Sequence, residues 1–523
     1  MLFNSYEFIF VFLPLVVVVF FALGRASSAW ALRWIIVASL FFYGWWRPLN
    51  VLIIAPSIII NFVLAHVLQR LGKQGNRRAA QAVLLVGIAF NVAFLGYFKY
   101  TNFLLGTIND AFGTQMVLAR IILPLGISFI TFQKIAFLID VHAGRIESFT
   151  LQDYCLFVLF FPQLIAGPIV HYREMMPQFH GLSCRFDKDN VSVGLTLFAF
   201  GLFKKLLLAD KIAPAVTPIY ERAASGSSVA LLSAWLAAVG FTLQIYFDFS
   251  GYTDMALGIA RMFGIRLPPN FNSPLRATNI IDFWRRWHMT LTRFLTAYIY
   301  NPLALWFTRR RAARNQIGSV AWNKSAGAFI EVLMFPTLLV MFISGMWHGA
   351  GYTFIVWGVL HGVFLTVNHA WRIVGPKLWR DKSRYERFMQ PAGFMITFVS
   401  VAASMVIFRS ATLKTAADLF KGMLGLHGIG VSELRSVSII GLKSTTFWIA
   451  ATVFIAFACP NTLNMLSRYE PALGWKPRPH DGATAETRVL WAPSLFWAVA
   501  VSMIAAFAIL YLGGRSEFLY WQF

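Results

Sequence analysis

Runs of apolar residues long enough to cross a lipid bilayer recur along the whole of this chain. They include residues 9–23, 51–67, 83–98 and 191–208. A membrane-spanning helix needs about 20 such residues, so the runs allow roughly 11–13 membrane segments. Only 13% of the 523 residues are charged, against about 25% in an ordinary soluble domain. The sequence therefore predicts an all-α polytopic membrane protein.

The chain is expected to form a single domain over residues 1–523. Its motif-bearing core covers residues 150–370, and C-terminal helices follow over residues 390–515. Length alone would suggest several domains, but that rule describes soluble chains rather than helical membrane bundles.

The formal net charge of +23 arises from Lys and Arg residues concentrated in short connections between the apolar runs. Such an excess is typical of cytoplasmic loops, and it explains the charge better than binding to nucleic acid does. The dense basic loops are residues 70–78 and 309–324. Counting three spans back from the first loop places the N-terminus in the periplasm. The first apolar run has no basic segment before it and no cleavage site after it, which indicates a retained span.

Two apolar segments are too irregular to be ordinary spans. Residues 154–170 contain Pro162, Gly167 and Pro168, a pattern typical of a re-entrant segment that is shielded by protein or lines a cavity. Residues 280–298 repeat apolar side chains at helical spacing, with charged side chains largely on the opposite face. This second pattern predicts an amphipathic helix that lies in the membrane interface.

A candidate site lies in the apolar stretch over residues 342–362, where His348 is flanked by Trp347 and Gly349. An ionisable side chain at membrane depth costs about 2.5 kcal/mol or more unless it faces a cavity or a partner. The nearby glycines leave room for a substrate or another backbone to approach. The stretch is consistent with a functional histidine and also with a satisfied histidine between packed helices.

Other polar residues at membrane depth are weaker candidates. Asp248 and Tyr252 share a helical face, because residues four apart are neighbours on a helix. They indicate either a functional site or helix capping by Asp248 and Ser250 at a break near Gly251. His288, in the amphipathic segment, is interpreted as a solvated side chain or as a catalytic group. The three cysteines are too widely spaced to predict a disulfide framework or a metal site.

Five motifs occur in the same order as in a known family. They are FPQLIAGPI at 161–169, QIYFDFSGYTDMA at 244–256, NFN at 270–272, DFWRRWH at 282–288 and GMWHGA at 345–350. With FNSYEF at 3–8 and FYGWW at 42–46, they make the chain resemble the membrane-bound O-acyltransferases (MBOATs). The resemblance is to the AlgI-like branch, the alginate O-acetyltransferases, and it extends to about residue 361. One segment departs from that branch, since residues 297–305 read AYIYNPLAL where the branch usually has DYLYIPLGG.

The resemblance implies a funnel-shaped helical fold with re-entrant pieces and a deep central histidine, which maps onto His348. Further candidates for supporting groups are His288, Asp248, Tyr252 and Trp347. The candidate donor or acceptor channel contains Trp284, Arg285, Gln244 and Gly349. The resemblance implies acetyl-CoA or another acyl thioester as a substrate, with no bound cofactor. It also implies a location in the bacterial inner membrane, and a periplasmic or membrane-anchored acetyltransferase partner in a polysaccharide-modifying complex.

Acyl transfer from a thioester to a hydroxyl needs a base that is neutral near pH 7, and an ordinary histidine, with a pKa of about 6.5, fits. The predicted function is O-acetylation of an exopolysaccharide such as alginate, with His348 as the base. Acyl transfer to lipid, teichoic acid or protein hydroxyls is an alternative. A transporter could also place Asp248, Asp254 and His348 along a pathway, but the inverted repeats usual in transporters are not found in the sequence.

Overall fold

The computed structural model describes residues 1–117, 121–314, 325–430, 439–476, 489–514 and 519. Lys324, in the second basic loop, and residues 477–488, in the polar loop expected before the last span, lie outside the described residues. The described residues contain helices and connecting turns but no strand.

The α-helices of the described residues are numbered in chain order. They are α1 Leu13–Ala26, α2 Ser28–Gly44, α3 Leu49–Lys73, α4 Arg77–Phe112, α5 Ile127–His142, α6 Leu151–Leu159, α7 Phe161–Leu164, α8 Tyr172–His180, α9 Lys188–Phe203, α10 Asp210–Ala224, α11 Leu231–Met262, α12 Ile280–Trp284, α13 Met289–Leu295, α14 Asn301–Ala313, α15 Ala326–Ala328, α16 Phe335–His348, α17 Tyr352–Val374, α18 Lys382–Arg409, α19 Leu413–Met423, α20 Ile439–Ala458, α21 Thr462–Met465 and α22 Leu495–Ile509. Single π-helical turns precede α1, α10, α14 and α16, at Phe8–Phe12, Lys204–Ala209, Thr296–Tyr300 and Phe329–Met334.

Among the described residues, 8 continuous helical segments are long and apolar enough to cross a membrane. They are Phe8–Ala26, Leu49–Lys73, Arg77–Phe112, Lys188–Ala224, Leu231–Met262, Ala326–His348, Tyr352–Leu378 and Lys382–Arg409. Shorter apolar helices occur at Ser28–Gly44, Thr446–Ala458 and Leu495–Ile509. The prediction of an all-α polytopic membrane protein is confirmed.

The chain divides into two compact units. Unit 1 contains Met1–Phe203, Gly251–Pro269 and Thr462–Gly514, and unit 2 consists mainly of Lys204–Ser250 and Asn270–Asn461. The boundary between them falls inside α11, a continuous helix that shows no break near Gly251. The alternative that Asp248 and Ser250 cap a helix end there is therefore wrong. The single-domain expectation stays a prediction.

Unit 1 contains the broken segment over residues 154–170, which forms the two short helices α6 and α7. Its irregular backbone is satisfied from inside the unit. The Phe161 N–H donates to Ser39 Oγ at 3.1 Å, and Gln163 Nε2 donates to the Phe157 carbonyl at 2.6 Å. This agrees with the expected interrupted segment shielded by protein, and its depth in a membrane stays a prediction.

Unit 2 corrects the expectation for residues 280–298. Instead of one amphipathic helix, α12 ends at Trp284 and α13 begins at Met289, with His288 between them at φ 43°. The NFN motif holds this turn. The Asn272 N–H donates to the Arg286 carbonyl at 3.0 Å and the Met289 N–H donates to the Asn270 carbonyl at 2.9 Å. Side-chain periodicity predicts which residues are buried, but it does not detect hydrogen bonds from a loop distant in sequence.

Candidate functional site

His348 is the last residue of α16 and is 3% exposed. Three aromatic rings surround its imidazole, with centroids at 4.9 Å for Trp347, 5.1 Å for Trp357 and 5.4 Å for Phe408. The ring of His288 lies 6.3 Å away. These side chains come from four parts of unit 2, so the fold brings together residues that are distant in sequence.

Close helix packing accounts for the glycines around His348. A Cβ atom on Gly345 would lie 2.3 Å from the Phe354 carbonyl oxygen and 3.1 Å from the Gly358 Cα. A Cβ atom on Gly349 would lie 2.2 Å from the Phe354 ring. These glycines are therefore needed for the close approach of α16 and α17. The predicted channel residue Gly349 serves this packing.

His288 is fully buried rather than solvated, so the surface interpretation of this residue is wrong. Its ring packs against Phe249 at 4.8 Å and Trp347 at 5.7 Å. It lies outside the candidate spans, and burial lowers its pKa from 6.5 to about 3. His288 is consequently neutral at physiological pH.

A directional chain of hydrogen bonds lies behind the aromatic ring of Trp357. Trp284 Nε1–H donates to His361 Nδ1 at 3.3 Å, and His361 Nε2 lies 2.9 Å from Ser404 Oγ. The Ser404 hydroxyl in turn donates to the Val401 carbonyl at 2.7 Å. The network therefore assigns the proton of a neutral His361 to Nε2. The His361 ring lies 4.7 Å from the Trp357 ring. These hydrogen bonds therefore help to hold Trp357 in its place beside His348.

A cavity of about 360 Å³ lies in the same unit. Its lining includes Trp284, Arg285, Thr296, Tyr300, Ser344 and His369. Arg285 is exposed, whereas Ser344 is fully buried. On α16 the cavity follows Thr337, Met341 and Ser344, and His348 is the next residue on that helical face. The lining thus includes a cationic group and, at Ser344, a residue one helical turn before His348, which does not itself line the cavity.

The other predicted site residues have these surroundings. The Asp248 carboxylate pairs with Lys205 Nζ at 2.6 Å, and the same ammonium lies 2.8 Å from Asp210. Tyr252 belongs to unit 1, where its ring stacks on Phe3 at 4.8 Å. Gln244 is 2% exposed, in unit 2.

Sequence reasoning assigned no role to Ser344, Trp357, His361 or Phe408. Helical spacing could have indicated three of them. Ser344 precedes His348 by one helical turn, and Trp357 precedes His361 by the same spacing. Phe408 is distant in sequence and carried no signal. Within the described residues, His, Cys, Asp and Glu side chains form no group of three that could hold a metal ion.

The fold and the buried histidine define a multi-pass helical membrane protein with an enclosed polar site. The family model of the membrane-bound O-acyltransferases matches residues 139–320. The chain is 37% identical to a peptidoglycan O-acetyltransferase of Helicobacter pylori over 83% of this chain and 82% of that protein. It is 31% identical to a probable alginate O-acetylase, AlgI, of Pseudomonas aeruginosa over 100% of both chains. A teichoic acid D-alanyltransferase of Streptococcus thermophilus is 26% identical over 57% of this chain and 69% of that protein.

The chain belongs to the membrane-bound O-acyltransferase family and is an O-acyltransferase. The resemblance to the AlgI-like branch, drawn from the five motifs, is confirmed.

Proposed function

We propose that this O-acyltransferase takes an acetyl group from acetyl-CoA or another cytoplasmic acyl thioester. It passes the group across the bacterial inner membrane for O-acetylation of an exopolysaccharide such as alginate. The relatives named as a peptidoglycan O-acetyltransferase and a probable alginate O-acetylase support acetyl transfer to an extracytoplasmic polymer.

One observation carries the proposed mechanism, namely that a buried histidine ends the helical face along which a cavity runs. Ser344 lines the cavity and His348 follows one turn later, about 6 Å along the helix axis. Aromatic rings wall the imidazole and exclude bulk water from it. A neutral imidazole held there removes the proton of an acceptor hydroxyl as that oxygen attacks the acyl carbonyl.

The cavity is the proposed path of the donor. His369, on its wall, lies one turn before Arg372 on α17, and the basic stretch that follows is predicted to be cytoplasmic. Arg285 and Arg372 both act electrostatically on His369, so the entrance is positively charged. A phosphate-bearing thioester from the cytoplasm is attracted to such an entrance.

The supporting residues have narrower proposed roles. His288, neutral and 6.3 Å from His348 between ring centroids, helps to orient the acceptor. Trp347 packs against both histidines, with its ring 4.9 Å from that of His348 and 5.7 Å from that of His288. The Asp248 carboxylate, held by its ion pair with Lys205, helps to orient groups around the site. Delivery to the polymer requires a periplasmic or membrane-anchored acetyltransferase as a partner.

The decisive experiment is transfer of radiolabel from acetyl-CoA by the purified protein in nanodiscs. We expect turnover in wild type and a loss of about 10²–10⁴-fold in His348→Ala, as for removal of a catalytic base. His142→Ala, at an exposed histidine of unit 1, is the matched control and retains activity. Equal turnover in wild type and His348→Ala would disprove the role of this histidine. Transfer of label to the polymer only after a candidate partner acetyltransferase is added would support the proposal that such a partner is required.

A further inference from the structure

Helices α16 and α17 meet at a pair of glycines beside the catalytic histidine. A Cβ atom on Gly358 would lie 2.3 Å from the Met341 carbonyl oxygen and 3.0 Å from the Gly345 Cα. Ser344 and Trp357 each immediately precede one of these glycines. The Trp357 ring also contacts the His348 ring at 5.1 Å. Ser344 and Trp357 are therefore the residues next to the helix contact, and the Trp357 ring lies against His348.

Ser344 and Trp357 both carry a buried polar hydrogen at this point. Ser344 is 0% exposed and Trp357 is 1% exposed. Within the described part of the chain, neither Ser344 Oγ nor Trp357 Nε1 has a hydrogen-bond partner. The neighbouring Trp284 differs, since its N–H donates to His361. Buried donors are nearly always satisfied, so two unsatisfied donors next to a buried histidine call for an explanation, and a catalytic role is one of those known.

The group that would satisfy both donors must accept hydrogen bonds and lie close to both Ser344 and Trp357. Ser344 lines the cavity, and the rings of Trp357 and Phe408 wall the adjoining imidazole. A carbonyl oxygen meets these requirements, because it has two lone pairs and no hydrogen to donate.

We infer that Trp357 Nε1–H and Ser344 Oγ–H donate hydrogen bonds to the carbonyl oxygen of the acyl thioester and stabilise the oxyanion formed from it. This inference rests on the proposed function. It assigns two further catalytic residues and leaves His348 as the base.

The acceptor hydroxyl oxygen forms a bond to the carbonyl carbon, its proton passes to His348, and the carbonyl π electrons move onto the oxygen between the two donors. When the C=O bond re-forms, the C–S bond breaks and the leaving sulfur takes the proton from His348. The products are an ester and a free thiol, and the imidazole is neutral again. Charge develops on the oxygen only in the intermediate, so the donors act mainly on kcat.

The test is steady-state kinetics of Trp357→Phe, which removes the N–H and keeps an aromatic ring. We expect kcat with acetyl-CoA to fall about 10²-fold while KM stays nearly constant, as for loss of one oxyanion donor. Ser344→Ala, a small change on a helix, tests the same site if Trp357→Phe does not fold. Each variant's thermal unfolding in detergent separates lost chemistry from lost structure.

Trp475→Phe is the matched control. Trp475 lies in unit 1, is 9% exposed, and its Nε1 likewise has no hydrogen-bond partner among the described residues. We expect loss of the Trp475 indole N–H to leave kcat unchanged. The inference is overturned if folded Trp357→Phe or, failing that, folded Ser344→Ala retains wild-type kcat while His348→Ala is inactive. A wild type with no acetyl-CoA turnover would instead overturn the proposed donor, and this inference with it.

Discussion

At the scale of single residues, His288 links burial, backbone conformation and charge. Its backbone has φ 43°, in the left-handed region that Asn adopts more readily than most residues. Its imidazole is fully buried, which lowers its pKa to about 3. In the unfolded chain the same imidazole has an ordinary pKa of about 6.5. The unfolded state therefore binds one proton more than the folded state between these two pKa values.

This difference predicts how stability depends on pH. Because the folded pKa is depressed, the free energy of unfolding falls as pH drops below about 6.5, and the loss continues until about pH 3. From pH 7.5 to 5.5 we expect wild type to lose about 1.4 kcal/mol more than His288→Asn, which cannot titrate. Denaturant unfolding in detergent at the two pH values measures the difference. Parallel pH profiles for the two proteins would contradict it.

The resemblance named His348 and His288 as residues of one site, because both fall in short motifs. Their neighbours were harder to predict. Trp357 and Ser344 are ordinary helix residues until α16 and α17 pack together, and Phe408 joins them from α18. Aromatic residues are so frequent in this chain, at 16%, that a single tryptophan carries little information before its contacts are known.

At the scale of helices, the contact between α16 and α17 depends on the absence of side chains. Gly345→Ala would place its Cβ 2.3 Å from the Phe354 carbonyl oxygen, so the two helices must move apart. We expect reduced thermal stability in detergent and loss of acetyl transfer, because the shift also displaces His348. Overpacking of this kind costs about 1–3 kcal/mol.

Gly351→Ala is the control for that substitution. Gly351 has φ −173°, and a Cβ atom there would lie no closer than 3.5 Å to the Phe354 ring. We expect its thermal stability to match wild type. If Gly345→Ala were equally well tolerated, the tight contact between these helices would not be needed for the site.

How well the sequence predicts a helix depends on whether the interactions that form it are local or come from residues distant in sequence. α3 and α4 are predictable from their own apolar runs, since insertion of an apolar helix into lipid needs no partner that is distant in sequence. The break between α12 and α13 depends on Asn270 and Asn272, whose backbone groups bond the turn from outside it. Likewise, Asp248 reads as a helix cap in sequence, whereas in the fold it pairs with Lys205 across a long sequence separation.

At the scale of the whole chain, the distribution of charge predicts an orientation in the membrane. The net charge of +23 is concentrated in short connections, and an excess of Lys and Arg is typical of cytoplasmic loops. Lys73, at the end of α3, and Arg77 and Arg78, at the start of α4, flank the loop between these helices. The connection at the other end of α4 lacks such a cluster. α4 has 36 residues and is about 54 Å long, more than enough to separate the two connections by a bilayer.

Cysteine labelling in intact cells tests this orientation. Gln74 and Thr114 are both exposed and lie beyond opposite ends of α4. With the three native cysteines replaced by alanine, we expect a membrane-impermeant maleimide to label Thr114→Cys in spheroplasts and Gln74→Cys only after lysis. A periplasmic N-terminus follows from the same result only when the shorter apolar helix α2 crosses the membrane as well as α1 and α3. The opposite labelling pattern would show that the chain has the opposite orientation in the membrane. The positively charged entrance beside Arg285 and His369 would then face away from cytoplasmic acetyl-CoA.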